Sequence, residues 1–204
     1  GGLARWAFGG MALIDTPLQR SMKITDSPER ALRDWIRFGE LDENDEHSLA
    51  WAKYYVEHSC SEVHDWLKNE GIKFMPAVNW VERGLNGEGN SVPRYHVVWG
   101  TSLELTKVMI AALHKANTDN RLTLLHQHSI LELITQDTSN VSAVTGAVIG
   151  AVGRNDVTGE EVHFQAHDVI LATGGINGGH QEVRRNWPKD RAMPDTMLNG
   201  AHPF

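Results

Sequence analysis

Apolar positions recur at intervals of three and four through the first half of the chain, then at intervals of two through much of the second. Asp26-Ser27-Pro28-Glu29 predicts a helix start: a capping side chain, Pro in the first turn, then an acid at the positive helix end. Ala31, Leu32, Trp35, Ile36 and Phe38 supply its apolar face. After an acidic break from Leu41 to His47, Leu49, Ala52, Tyr55 and Val56 line one face of a second helix. A third helical segment carries Val63, Trp66 and Leu67 and stops at Gly71. Ile72 to Met75 predicts a short strand, and Glu82 to Pro93 a glycine- and asparagine-rich loop. Thr101 or Ser102 starts a further helix through Leu105, Val108, Met109, Ala112 and Leu113.

From Leu122 the period changes. Leu122–Leu125 and Ile130–Ile134 read as one strand, or two separated by a bend, and Val141–Val152 as another. Asn155 to Gly159 predicts a hairpin turn, with Val162 and Phe164 alternating with polar residues on the return. Val169–Ala172 is uniformly apolar, the pattern of a central strand buried on both faces. The tail from Asn186 to Phe204 shows no clear period. Helices followed by a strand meander imply an α/β fold with a helical insertion.

Composition narrows the function classes. A length of 204 residues supports a real core. A net charge of −7 argues against nucleic acid as a partner, because phosphate binding needs a basic surface. The single cysteine, Cys60, rules out an internal disulfide framework and fits a reducing, cytoplasmic setting. No apolar run approaches the roughly 20 residues that span a bilayer, and no signal peptide is visible.

The candidate chemistry begins with two glycine segments, Gly1-Gly2 with Gly9-Gly10-Met11, and Ala172-Thr173-Gly174-Gly175 at the end of an apolar run. Glycine pairs let main chain approach a flat or phosphorylated ligand, and open α/β sheets place such strand ends at their ligand edge. The same glycines also suit tight turns. His126 and His128 would share a strand face but lack a third metal ligand of convincing spacing. His58 and His64 stand six apart, off any common helical face. Arg94-x-His96 beside Trp99 reads either as a carboxylate- or keto-binding loop or as a surface loop tied by salt bridges. Cys60 reads as a small buried hydrophobe, and Trp6 as core packing or a subgroup marker. No hydrolase triad, paired-carboxylate motif or phosphate-loop lysine stands out.

Five segments in order give a specific resemblance. They are Gly1-Gly2 with Gly9-Gly10-Met11; Ile24-Thr25-Asp26-Ser27-Pro28-Glu29; Tyr55-Val56-Glu57-His58 through Trp66-Leu67 and Gly71-Ile72; His128-Ser129-Ile130-Leu131-Glu132-Leu133; and Ala172-Thr173-Gly174-Gly175. Together they resemble the FAD-binding domain of the fumarate reductase/succinate dehydrogenase flavoprotein family, which includes L-aspartate oxidases and 3-ketosteroid dehydrogenases. Asn90-Ser91-Val92-Pro93-Arg94-Tyr95-His96 and the Trp-rich loop resemble the ketosteroid-type dehydrogenases.

The resemblance implies a glutathione-reductase-type FAD-binding domain, present in part. The family's first βαβ unit, with its Gly-x-Gly-x-x-Gly turn, would precede Gly1, and a capping domain with the catalytic residues would follow the tail. The chain is then expected to be one incomplete FAD-binding domain over residues 1–204. Its parts are a flavin loop (1–15), a helical region (26–117), a strand region (121–175) and a tail (176–204). Gly1, Gly2, Ala4, Arg5, Gly9, Gly10, Met11, Ala172, Thr173 and Gly174 would line the cofactor, and Ile130 would meet the adenine through its main chain. Ala4 replaces a small hydroxyl residue of the family, and Leu3 cannot form the covalent flavin link of the succinate dehydrogenase branch. Any FAD is therefore expected to be non-covalent and held weakly here, with a small-molecule substrate met by the parent protein. No catalytic or metal-ligating residue is assigned to this chain. The alternative is a cofactor-free, stand-alone domain that associates with itself or a partner through exposed sheet edge and apolar surface.

Overall fold

The computed structural model describes residues 3–81, 88–136, 146–175 and 179–197. Gly1, Gly2, residues 141–145 of the expected second strand, residues 82–87 of the expected loop, and residues 176–178 and 198–204 of the tail lie outside the described residues. The described chain forms two units, one up to Thr118 and one from Asp119 onward.

In the first unit, a 3₁₀ turn (Ala4–Trp6) leads into strand β1 (Gly10–Ala12) and a short helix α1 (Pro17–Ser21). Helix α2 (Pro28–Gly39) starts as the sequence predicts: the Ser27 side chain accepts from the Arg30 amide, Pro28 opens the first turn, and Glu29 sits in it. Helix α3 (Glu46–His58) runs into a π-helical stretch (Ser59–Asp65) and then α4 (Trp66–Asn69). Gly71, at φ +95°, takes the left-handed position that ends this rod. The Ile72 amide returns to the Leu67 carbonyl, and Ile72 is buried.

The expected strand at Ile72–Met75 reduces to a single bridge, Phe74 to Val98. Pro76 follows at once and has no amide to extend a ladder. Strand β2 (Tyr95–Val97) pairs antiparallel with β1, and α5 (Thr101–Ala116) starts where predicted. Among the described residues, the buried hydrophobics include two small packed clusters. Ile14, Ala31 and Val56 make one; Leu67, Ile72 and Val98 make the other, flanked by Met11, Phe74, Leu105 and Val108.

The second unit is an antiparallel meander, β3 (His128–Thr135), β4 (Val148–Asn155) and β5 (Glu161–Gln165), followed by α6 (His180–Arg185). The Asn155 side chain accepts from the Val157 and Thr158 amides and shapes the predicted hairpin turn. Val162 and Phe164 are half-buried between exposed neighbours, as the alternation requires.

Two strand expectations fail. Leu122–Leu125 forms no strand; β3 begins only after Gln127, which adopts φ +57°. Val169–Ala172 forms none either, and Ile170 is 90% exposed. A strand buried on both faces needs neighbours along its edges and a layer above and below. Among the described residues of this unit, no strand lies alongside it. No helix among the described residues is long and apolar enough to cross a membrane.

Candidate cofactor-binding site

The opening glycine segment belongs to the first unit. Ala4, Arg5 and Trp6 are exposed in the 3₁₀ turn, with the Arg5 guanidinium 4.8 Å from the Trp6 ring centre. Trp6 therefore does not serve as core packing. Gly9 has φ +81°, and a Cβ there would lie 2.6 Å from the Ser102 nitrogen at the start of α5. A Cβ on Gly10 would overlap the Tyr95 ring. Both glycines are thus demanded by close approach of the protein to itself. Met11 pairs with His96 in the β1–β2 ladder and packs on the second core cluster.

Behind this ladder lies a buried polar network. Arg94 is 3% exposed and grips two carboxylates, Asp26 through Nε and Nη2 (both 2.8 Å) and Asp34 through Nη1 (2.7 Å). Asp34 also accepts from the amide and hydroxyl of Ser91. Burial alone would raise the Asp34 pKa, but Ser91 and Arg94 hold it below the ordinary carboxylate value. Burial works against the Arg94 charge too, and the two aspartates overcome it and raise the pKa.

His96 is fully buried. Its Nδ1 donates to the Arg94 carbonyl, and its Nε2 lies 2.7 Å from the Thr16 hydroxyl. Burial lowers its pKa, assisted by nearby His64, so the neutral ring accepts at Nε2. Thr16 caps α1 in a reciprocal box: its hydroxyl accepts from the Gln19 amide while Gln19 Oε1 accepts from the Thr16 amide. Gln19 completes the network through Asp26 and the Pro93 carbonyl.

This geometry corrects the reading of Arg94-x-His96. The residues are salt-bridged and hydrogen-bonded, but inside the unit and not on a surface loop, and neither is free to meet a substrate. The sequence carried two unused signals. Thr16-Pro17-x-Gln19 is a capping-box pattern with Pro at the first helical position. Asp34 stands three residues after Ala31 on the apolar face of α2, where a carboxylate requires a partner. A cavity of about 360 Å³ adjoins the network, walled by Ile14, Trp35, Phe38 and Tyr55. The Tyr55 hydroxyl donates to the Ala12 carbonyl, tying α3 to β1.

The remaining site residues belong to the second unit. Ile130 lies on β3, whose outer edge has no partner strand among the described residues. Its pairing with Gly153 is followed by Glu132 opposite Val152, so Leu131 is a bulge. A bulge on an edge strand re-aims main-chain groups outward. Ala172, Thr173 and Gly174 are exposed. Gly174 has φ +79°, and a Cβ there would meet nothing within 4 Å. This bare, open main chain fits a ligand recognised through backbone, as a dinucleotide is. Gly9, Gly10 and Met11 thus lie in one unit and Ile130, Ala172, Thr173 and Gly174 in the other.

His126 and His128 make only a local contact, His128 Nδ1 to the His126 carbonyl. His64 is buried against Phe74 and bonds Asp65. Cys60 is half-buried, and burial raises its thiol pKa.

Comparison with known proteins connects these features. Residues 1–201 match the family model for the FAD binding domain. A KsdD-like steroid dehydrogenase of Mycobacterium tuberculosis is 37% identical over 98% of this chain and 37% of its own length. One from Mycolicibacterium smegmatis is 35% identical over 98% of this chain and 38% of its own length. A fumarate reductase (cytochrome) of Shewanella frigidimarina is 29% identical, again over 98% of the chain and 32% of its own length. The open conformation of a flavocytochrome c3 fumarate reductase superposes with a TM-score of 0.68 at 22% identity, covering 91% of this chain and 29% of that one. The chain thus spans about a third of the length of the relatives it matches. With the match running over nearly every residue, this chain belongs to the FAD-binding domain family that includes the KsdD-like steroid dehydrogenases and fumarate reductase flavoproteins.

Proposed function

We propose that this chain supplies part of the FAD shelf of an oxidoreductase acting on an activated C–C bond. The observation that carries the reading is the open main chain at Ala172–Gly174, at a position the family resemblance assigns to the cofactor. Ala172, Thr173 and Gly174 would lie against the flavin nucleotide, and Ile130 would offer amide and carbonyl to the adenine. Gly9, Gly10 and Met11 would border the ring, with Gly1, Gly2, Ala4 and Arg5 beside them. FAD, when bound, supplies hydride transfer at its flavin ring. The protein's part is to place and orient it without a covalent link, since Leu3 has no atom that could form one. The substrate class suggested by the relatives is a keto steroid or a related enone, with a dicarboxylate as the second choice. The chain alone is expected to hold FAD weakly and to show no turnover.

The test is a titration of FAD with purified chain, followed by flavin fluorescence and visible absorbance. Saturable quenching that weakens at least tenfold in Gly174→Val supports the reading. Flavin fluorescence and absorbance that stay unchanged when the protein is added in large excess overturn it. That result favours the second reading, a cofactor-free domain that self-associates, which the exposed Ile170 and Leu171 and the open β3 edge support.

A further inference from the structure

We propose that Cys60, His64 and Asp65 form a divalent-metal site suited to zinc. The three lie in the π-helical stretch that joins α3 to α4. Its i→i+5 bonding widens the turn, so residues four and five apart stack on one side. One ligand atom from each residue, a sulfur, a ring nitrogen and a carboxylate oxygen, lies within 4.8 Å of the other two. An ordinary α-helix would already set Cys60 and His64 on one face but would turn Asp65 away from them.

The surroundings suit a cation. His64 is buried and stacked on Phe74, ring centres 5.4 Å apart and nearly parallel, so its imidazole is oriented before any ligand arrives. Asp65 is exposed, and with His64 it lines an open cleft of about 630 Å³ beside Pro17, Leu18 and Lys68, which gives an entry path. Asp15, Asp65 and Arg20 act electrostatically on the thiol, and Arg20 also pairs with Asp15 at 3.3 Å. One thiolate and two carboxylates against one guanidinium leave two negative charges, which a divalent ion neutralises. Sulfur, nitrogen and oxygen donors on three protein ligands, with a fourth position for water, match the zinc coordination habit. On binding, the Cys60 thiol gives up its proton to solvent and a sulfur–metal bond forms; no redox step is involved.

Cys60 is the sole cysteine of the chain, so a thiol titration of the unaltered protein reads this site alone. One equivalent of zinc is expected to slow the reaction of Cys60 with a disulfide reagent at least tenfold, and a chelator to restore it. Thiol reactivity unchanged by excess zinc overturns the proposal, even if other histidines take up metal. Cobalt(II) gives a second readout when the free thiol reacts too slowly to follow. A thiolate-to-cobalt charge-transfer band in the wild type, lost in Cys60→Ser and weakened in His64→Gln, supports the site. Its absence from a wild type with normal circular dichroism overturns it.

Discussion

Gly9 and Gly174 share a residue type and a left-handed backbone, yet they stand in opposite surroundings. A side chain on Gly9 would collide with main chain at the start of α5, whereas one on Gly174 would meet open space. The first unit has closed around its glycines and buried an Arg–Asp network behind them. The second is a three-stranded meander with Ile170 and Leu171 in solvent. A glycine explained by packing says little about a ligand. One that stands in open space, as Gly71 and Gly159 also do, is required only by its left-handed backbone and leaves room for a ligand.

Substitutions can break this contrast. Arg94→Ala leaves Asp26 and Asp34 charged, buried and uncompensated, and is expected to cost about 3–5 kcal/mol in urea denaturation of the first unit. Arg94→Lys should retain part of the loss, because an ammonium cannot reproduce the two-armed grip on Asp26. Gly9→Ala adds a backbone collision to left-handed strain and should cost roughly 2–4 kcal/mol. Gly174→Ala carries the strain alone, about 1–2 kcal/mol. Equal losses at both glycines would erase the distinction.

The smallest expected effect is on pH dependence. His96 is neutral in the fold because burial lowers its proton affinity, so the unfolded chain binds the proton more readily. Its contribution to stability is complete above the ordinary imidazole value of 6.5 and is lost as pH falls below it. Asp34, held below its ordinary 3.8, keeps its contribution above that value and loses it in stronger acid. Thermal midpoints should therefore decline in two stages on acidification. His96→Gln should flatten the first stage and leave the second.

The sequence was most legible where local rules govern. Ser27-Pro28-Glu29, Gly71 and the Asn155 turn each carry their structure in a few neighbouring residues, and each forms as predicted. It was least legible where the partner is remote. Arg94 meets carboxylates 60 and 68 positions away, a pairing that no periodicity encodes. The apolar run at Val169–Ala172 has the composition of an inner strand, but the pairing that would make it one depends on chain elsewhere. In the candidate site, Gly9 and Gly10 answer to Ser102 and Tyr95, far along the chain, and no local rule in the sequence announces that packing.

The Thr16 hydroxyl has one hydrogen and two tasks. It receives the Gln19 amide at the head of α1 and gives its hydrogen to a ring on β2, eighty positions along the chain. It can do both only while that ring presents a lone pair. Adding one proton to the imidazole makes two donors face each other and forces the hydroxyl hydrogen to turn away, while the oxygen, with two lone pairs, can still receive the Gln19 amide.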